Sequence, residues 1–98
     1  MQASSASPCV LIYVQHLLGV GHLQRSIQLA AALQNRGFRV EIVSGGMPAS
    51  MHLPDRLNFH QLPPLYSADG SFTRLLDENG RPIDDAWRAR RKHELLKI

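Results

Sequence analysis

The 98-residue chain has one cysteine, one tryptophan and only 6% aromatic residues. The single cysteine, Cys9, excludes an internal disulfide framework and any multi-cysteine metal site. The five histidines form no H-x-x-x-H pair on a helix, so neither a bound metal nor a cofactor is expected. No apolar run approaches the ~20 residues that a membrane-spanning helix needs. Residues 1–8 (MQASSASP) carry no Lys or Arg and precede no secretory-type cleavage site, so the default expectation is a cytoplasmic protein. Excess charge is also small, at +3. A nucleic-acid binder concentrates basic charge on a patch, so this total alone decides little; no nucleic-acid partner is expected.

What is present is a globular composition, 44% hydrophobic and 19% charged. The length allows one domain at most, because domains run to roughly 100–200 residues. Residues 1–8 read as a lead-in. Cys9–Val14 (CVLIYV) is a continuous apolar, β-branched run, the pattern of a parallel strand buried on both faces. Residues 15–21 form a loop with two glycines, and residues 22–36 follow with helical periodicity. Leu23, Ser26, Ile27, Leu29, Ala30 and Leu33 share one arc of that helix. Gly37 stands where a C-terminal cap belongs. Residues 38–44 and 58–62 read as further strands, separated by Gly45, Gly46 and Pro48. Strand, glycine loop, helix, strand is a βαβ unit, which implies an α/β fold with a partial Rossmann-like parallel sheet. The expected strand order is 3-2-1. Residues 67–82, rich in Asp, Gly, Asn and Ser, read as a loop with a turn at Glu78-Asn79-Gly80. A last helix starts after Asp84 or Asp85, with its basic residues toward the C-terminal end, as the helix dipole favours.

The chemistry concentrates at Gly19-Val20-Gly21-His22, between the first strand and the first helix. Ligands of open α/β sheets bind at the carboxyl ends of the strands. Glycines there let backbone N–H groups approach an anion, and the helix N-terminus adds positive potential. A dinucleotide fingerprint is disfavoured twice over. Gln24 stands at its third glycine position, and the second strand ends in Ser44-Gly45 with no acid. No P-loop Gly-Lys-Ser/Thr occurs. His22 sits in the first helical turn, where the dipole favours neutral imidazole and so a general base. A solvated structural histidine is the competing reading there. The same holds for His16, either a ligand contact or a solvated loop residue. Arg88, Arg90, Arg91 and Lys92 beside Trp87 read either as a surface for phosphate or anionic lipid or, preferably, as a solvated helix face. Trp87 belongs to the core. Cys9 reads as a small buried hydrophobe.

The string from Tyr13 through Gly19-Val20-Gly21-His22 to Ser26 resembles the first strand, loop and helix of bacterial GT-B-fold glycosyltransferases. It is similar to a group of predicted glycosyltransferases related to the MurG-type enzymes. The resemblance continues through Gly37-Phe38-Arg39-Val40, Val43-Ser44-Gly45-Gly46, Gln61-Leu62-Pro63-Pro64-Leu65 and Asp77 to Trp87. It implies that residues 9–98 are an incomplete N-terminal, acceptor-side domain of a hexosyltransferase. His22 would be the catalytic base. Gly19, Gly21, His16, Gly45 and Gly46 would contact substrate. A nucleotide-sugar donor would bind a C-terminal domain outside this chain, and a glycosyl acceptor would bind here. The MurG-type loop carries more glycines, so the same lipid-linked acceptor is not assumed. Without the donor domain the chain is expected to be inactive and prone to self-association. An intact enzyme would be cytoplasmic, with peripheral contact at the inner membrane. The alternative is a non-catalytic α/β module that binds a phosphate-containing ligand at Gly19-Val20-Gly21.

Overall fold

The computed structural model describes residues 8–17, 19–67 and 74–98. In chain order it contains β1 (Cys9–Val14), α1 (Gly21–Asn35), β2 (Arg39–Ser44), β3 (Asn58–Gln61), β4 (Leu65–Ser67), β5 (Leu75–Asp77) and α2 (Asp85–Leu96). The first three strands form a parallel sheet in the order β1-β2-β3. Cys9 lies opposite Arg39, Val14 opposite Ser44, and Glu41 opposite Asn58. This is the expected α/β, Rossmann-like start, with β1 at an edge. The expected lead-in over residues 1–7 lies outside the described residues. Pro8 already belongs to the sheet, since its carbonyl accepts from the Arg39 amide at 2.9 Å.

Side chains alternate across a strand, so each strand offers α1 every second residue. Val14, Val40 and Ile42 point to that inner face and pack with Leu23, Ile27 and Ala30 of α1. Burying a Val, Leu or Ile contributes roughly 1.5–3 kcal/mol, which makes this layer the main source of stability. Leu33 and Phe38 pack at its margin. They meet because α1 ends in a Schellman motif. The Phe38 amide donates to the Leu33 carbonyl at 3.1 Å and the Gly37 amide to that of Gln34 at 3.0 Å. Gly37 takes φ +92°, a left-handed conformation that any side chain would strain.

Two core expectations need correction. Leu29, on the expected apolar arc, is 52% exposed, because it projects beyond the edge strand. The run from Cys9 to Val14 is buried on one face only. Leu11 and Tyr13 are 56% and 50% exposed, and Cys9 is exposed too. An apolar run shows that a strand can be covered on both faces; whether it is covered depends on the elements that pack there. Here α1 covers the inner face, and α2 reaches only the carboxyl end of the outer face. The outer face instead carries a polar row. Glu41 Oε1 and His60 Nε2 lie 2.8 Å apart, and the Cys9 thiol donates to Glu41 Oε2 at 3.7 Å.

Residues 67–82 are not all loop. β4 and β5 pair antiparallel, with Leu65 opposite Asp77 and Ser67 opposite Leu75. Residues 68–73 of that expected loop lie outside the described residues. Strands of three residues give no usable alternation; burial of Leu65 and Leu76 stabilises this pair instead. The expected turn follows. The Gly80 amide donates to the Asp77 carbonyl at 3.0 Å, and Gly80 takes φ +78°. Asp84 caps α2, its Oδ1 accepting from the Trp87 amide at 2.8 Å, and Trp87 is buried as expected.

Asp77 Oδ1 accepts from the amides of Arg81 at 3.0 Å and Asn79 at 2.8 Å. The Arg81 amide is the main reason its carboxyl is held below the ordinary 3.8; the Asn79 amide and the Arg81 and Arg90 guanidiniums add to it against some desolvation. A carboxyl depressed by folding stabilises the fold above its unfolded pKa and loses that contribution as pH falls through the folded value. The Asp77 carboxyl carbon should therefore titrate below 3.8 by NMR, with the Asn79 and Arg81 amides shifting in step. A midpoint at or above that value would show that the turn does not hold the carboxylate.

Candidate functional site

The carboxyl edge of the sheet is built where β1 and β2 end and their loops cross. Gly45 is threaded between neighbours. Its amide donates to the Val14 carbonyl at 2.9 Å, and its carbonyl accepts from Gln15 Nε2 at 2.8 Å and the Leu65 amide at 3.1 Å. The Gly46 carbonyl accepts from Gln61 Nε2 at 2.7 Å. Both glycines are buried. A Cβ on Gly45 would strike the Gln15 amide oxygen and the Arg91 guanidinium. One on Gly46 would strike the His16 ring and come within 2.6 Å of its carbonyl oxygen. Gly46 needs glycine because the His16 backbone occupies the space of a side chain, whereas at Gly45 the obstacles are the ends of two flexible side chains, which would have to move.

His16 is therefore not the solvated loop residue expected. It is 4% exposed, packed against Gly46, and its Nε2 has no hydrogen-bond partner among the described residues. It borders a cavity of about 370 Å³ with Val20, Met47, Tyr66 and Glu78. That cavity has a carboxyl group and no Lys or Arg among its lining residues, which suits an anion poorly.

Gly19 and Gly21 are different. Both are exposed, neither has positive φ, and a Cβ at either would meet no described atom within 4 Å. The fold does not need glycine there. α1 starts at Gly21 without a side-chain cap and with no acidic residue in its first turn. Its first amides remain open to an incoming acceptor. His22 is exposed in this turn and makes no hydrogen bond to a described residue. It borders a second cavity, about 420 Å³, with Gln15, Arg25 and Ser26, walled by Tyr13 and Leu29 at the free edge of β1. The structure thus brings His16 and Gly46 together and sets Gly45 beside Gln15. His22, with Gly19 and Gly21, stands on the other side of the loop. Gln24 is exposed and does not come between α1 and the sheet. A dinucleotide is disfavoured by the end of β2 alone, where Ser44 and Gly45 stand and no acid does.

Sequence reasoning missed Gln15 and misjudged Arg91. Arg91 Nη2 donates to the Tyr13 hydroxyl at 2.8 Å and to Gln15 Oε1, and the Tyr13 hydroxyl donates to the same oxygen at 3.2 Å. The guanidinium carbon lies 5.5 Å from the Trp87 ring centre and 5.9 Å from that of Tyr13. Arg91 is thus a packed residue tying α2 to the sheet edge, and not part of a solvated face. The available signal was spacing: Trp87, Arg91 and Leu95 follow at intervals of four and share one side of α2.

No family model matches the chain, and neither a curated protein nor a solved structure matches it.

The two glycine pairs should respond oppositely to alanine. Gly46→Ala should cost about 1–3 kcal/mol in urea unfolding, as an overpacked site. Gly21→Ala should leave stability unchanged or raise it by up to about 1 kcal/mol, since it removes a helical glycine. Destabilisation by Gly21→Ala as large as that by Gly46→Ala would contradict this assignment.

Proposed function

We propose that this chain forms the acceptor side of a GT-B-type glycosyltransferase, with His22 as the base. The observation that carries the reading is the exposed His22, without a described hydrogen-bond partner, in the first turn of α1, over a cavity at the carboxyl edge of a parallel sheet. Ligands of open α/β sheets occupy that edge. The fold agrees with the sequence resemblance, and the glycines beside His22 are free of any structural demand.

The chemistry is a single displacement. An acceptor hydroxyl enters the cavity, and the His22 imidazole takes its proton. The oxygen attacks the anomeric carbon of a nucleotide-sugar, the bond from that carbon to the diphosphate breaks, and the nucleoside diphosphate leaves with the electron pair. Ser26, Gln15 and Arg25 border the same cavity and can hydrogen-bond the acceptor's other hydroxyls. Stabilising the departing diphosphate falls to a donor-binding domain. No helix among the described residues is long and apolar enough to cross a membrane. Access to an acceptor at the inner membrane would be peripheral.

One observation favours a second reading. The uncapped start of α1, with Arg25 nearby, is also what an anion site requires. A non-catalytic module would bind inorganic phosphate at residues 19–22 and need no base.

In an enzyme carrying this chain as its acceptor domain, His22→Ala should lower kcat about 10²-fold or more with the donor KM little changed. His22→Ala activity within a few-fold of wild type would remove the base role. Tight phosphate binding that survives His22→Ala, without transfer in any such enzyme, would favour the module.

A further inference from the structure

We infer that the cavity between α2 and the outer face of the sheet binds an organic phosphate, an anionic head on an apolar body. The cavity is about 320 Å³ and lies apart from His22, with Tyr13 bordering both. Leu62, Leu65, Ile83, Trp87 and Leu95 give it an apolar wall. Arg88, Arg91 and Lys92 supply positive charge, and no Asp or Glu among the described residues lines it. Two kinds of surface thus face one space, and an amphipathic anion satisfies both.

The state of Arg91 points the same way. Its guanidinium is half-buried, yet its partners, the Tyr13 hydroxyl and Gln15 Oε1, are both neutral. Among the described residues only Nη2 finds an acceptor; Nε is buried with no described partner, and Nη1 donates to no described residue. A half-buried cation without a carboxylate is an unfilled electrostatic demand. A phosphate is a suitable match, because a guanidinium presents paired donors to paired oxygens. Lys92 has no ion pair to a described residue. Arg88 has only Asp85, at 3.5 Å across a fully exposed pair, which competes weakly with a ligand. The apolar wall selects against inorganic phosphate, which would gain the charge contacts and leave Leu95 uncovered.

This inference does not rest on the glycosyltransferase reading, since it uses neither His22 nor a donor. Trp87 is the chain's one tryptophan, so its emission reports on the cavity directly. The whole chain is titrated with phenyl phosphate, benzyl alcohol and inorganic phosphate. Phenyl phosphate should give a saturable change, at least about tenfold tighter than either partial probe, and weaker as salt rises. Arg88→Gln with Lys92→Gln alters exposed side chains only, so circular dichroism should be unchanged while phenyl phosphate weakens about tenfold. Vesicles of phosphatidylglycerol separate a lipid source from a free one. Vesicle binding that phenyl phosphate displaces supports the site and names lipid as a source. Vesicle binding that it does not displace overturns the site in favour of surface adsorption. No saturable response to phenyl phosphate, an equal response to benzyl alcohol, or unchanged affinity in the folded double variant also overturns it.

Discussion

The close approach of three chain segments at Gly45 and Gly46 is the constraint on which the carboxyl edge depends. A Cβ at Gly46 would meet the His16 backbone, and one at Gly45 would displace the Gln15 and Arg91 side chains. The space is taken by Gln15 and His16 from the end of β1 and by Arg91 from α2. Gln15 then joins the parts, since its side-chain amide donates to the Gly45 carbonyl and its oxygen accepts from Arg91 and Tyr13. Two residues without side chains thereby fix where the loop after β1 leaves the sheet, and so where α1 and His22 begin.

The sheet around this corner is unevenly covered. Its inner face carries a close-packed layer of aliphatic side chains against α1, and the hydrophobic contribution is concentrated there. Its outer face is apolar near α2 and polar farther back, where Glu41 pairs with His60. α2 is held by a buried tryptophan, an N-cap and one stacked arginine. Such an attachment is specific in geometry and modest in energy, because a cation over an aromatic ring contributes about 0.5–1 kcal/mol at an exposed site. The open free edge of β1, with Leu11 and Tyr13 half exposed, is the kind of strand that other proteins cover or charge.

Much of this was legible in the sequence. The parallel strands, their order, the helix between them, the Gly37 ending and the Asp84 cap all follow from local rules of periodicity and capping. The losses were in features that depend on distant neighbours. Nothing within Cys9–Val14 says that one face stays bare, and Leu29 fits an apolar arc that outruns the sheet it faces. β5 is too short to show alternation. The glycines were the most instructive case. Gly19 and Gly21 read as ligand-approach glycines and prove sterically unconstrained, whereas Gly45 and Gly46 read as strand breakers and substrate contacts and are packed to contact. Only the positions of Gln15, His16 and Arg91 reveal the difference, and those residues lie in other elements.

We propose that the working face is the carboxyl edge beside the start of α1, supported but not entered by the glycine corner. The most direct test is an amide-resolved NMR titration of the chain with a methyl glycoside as acceptor. Saturable shifts should centre on Gln15, Gly19 and residues 21–26, with Gly46 and the β4–β5 pair little affected. Shifts centred on His16, Tyr66 and Glu78, or none that saturate, would contradict it.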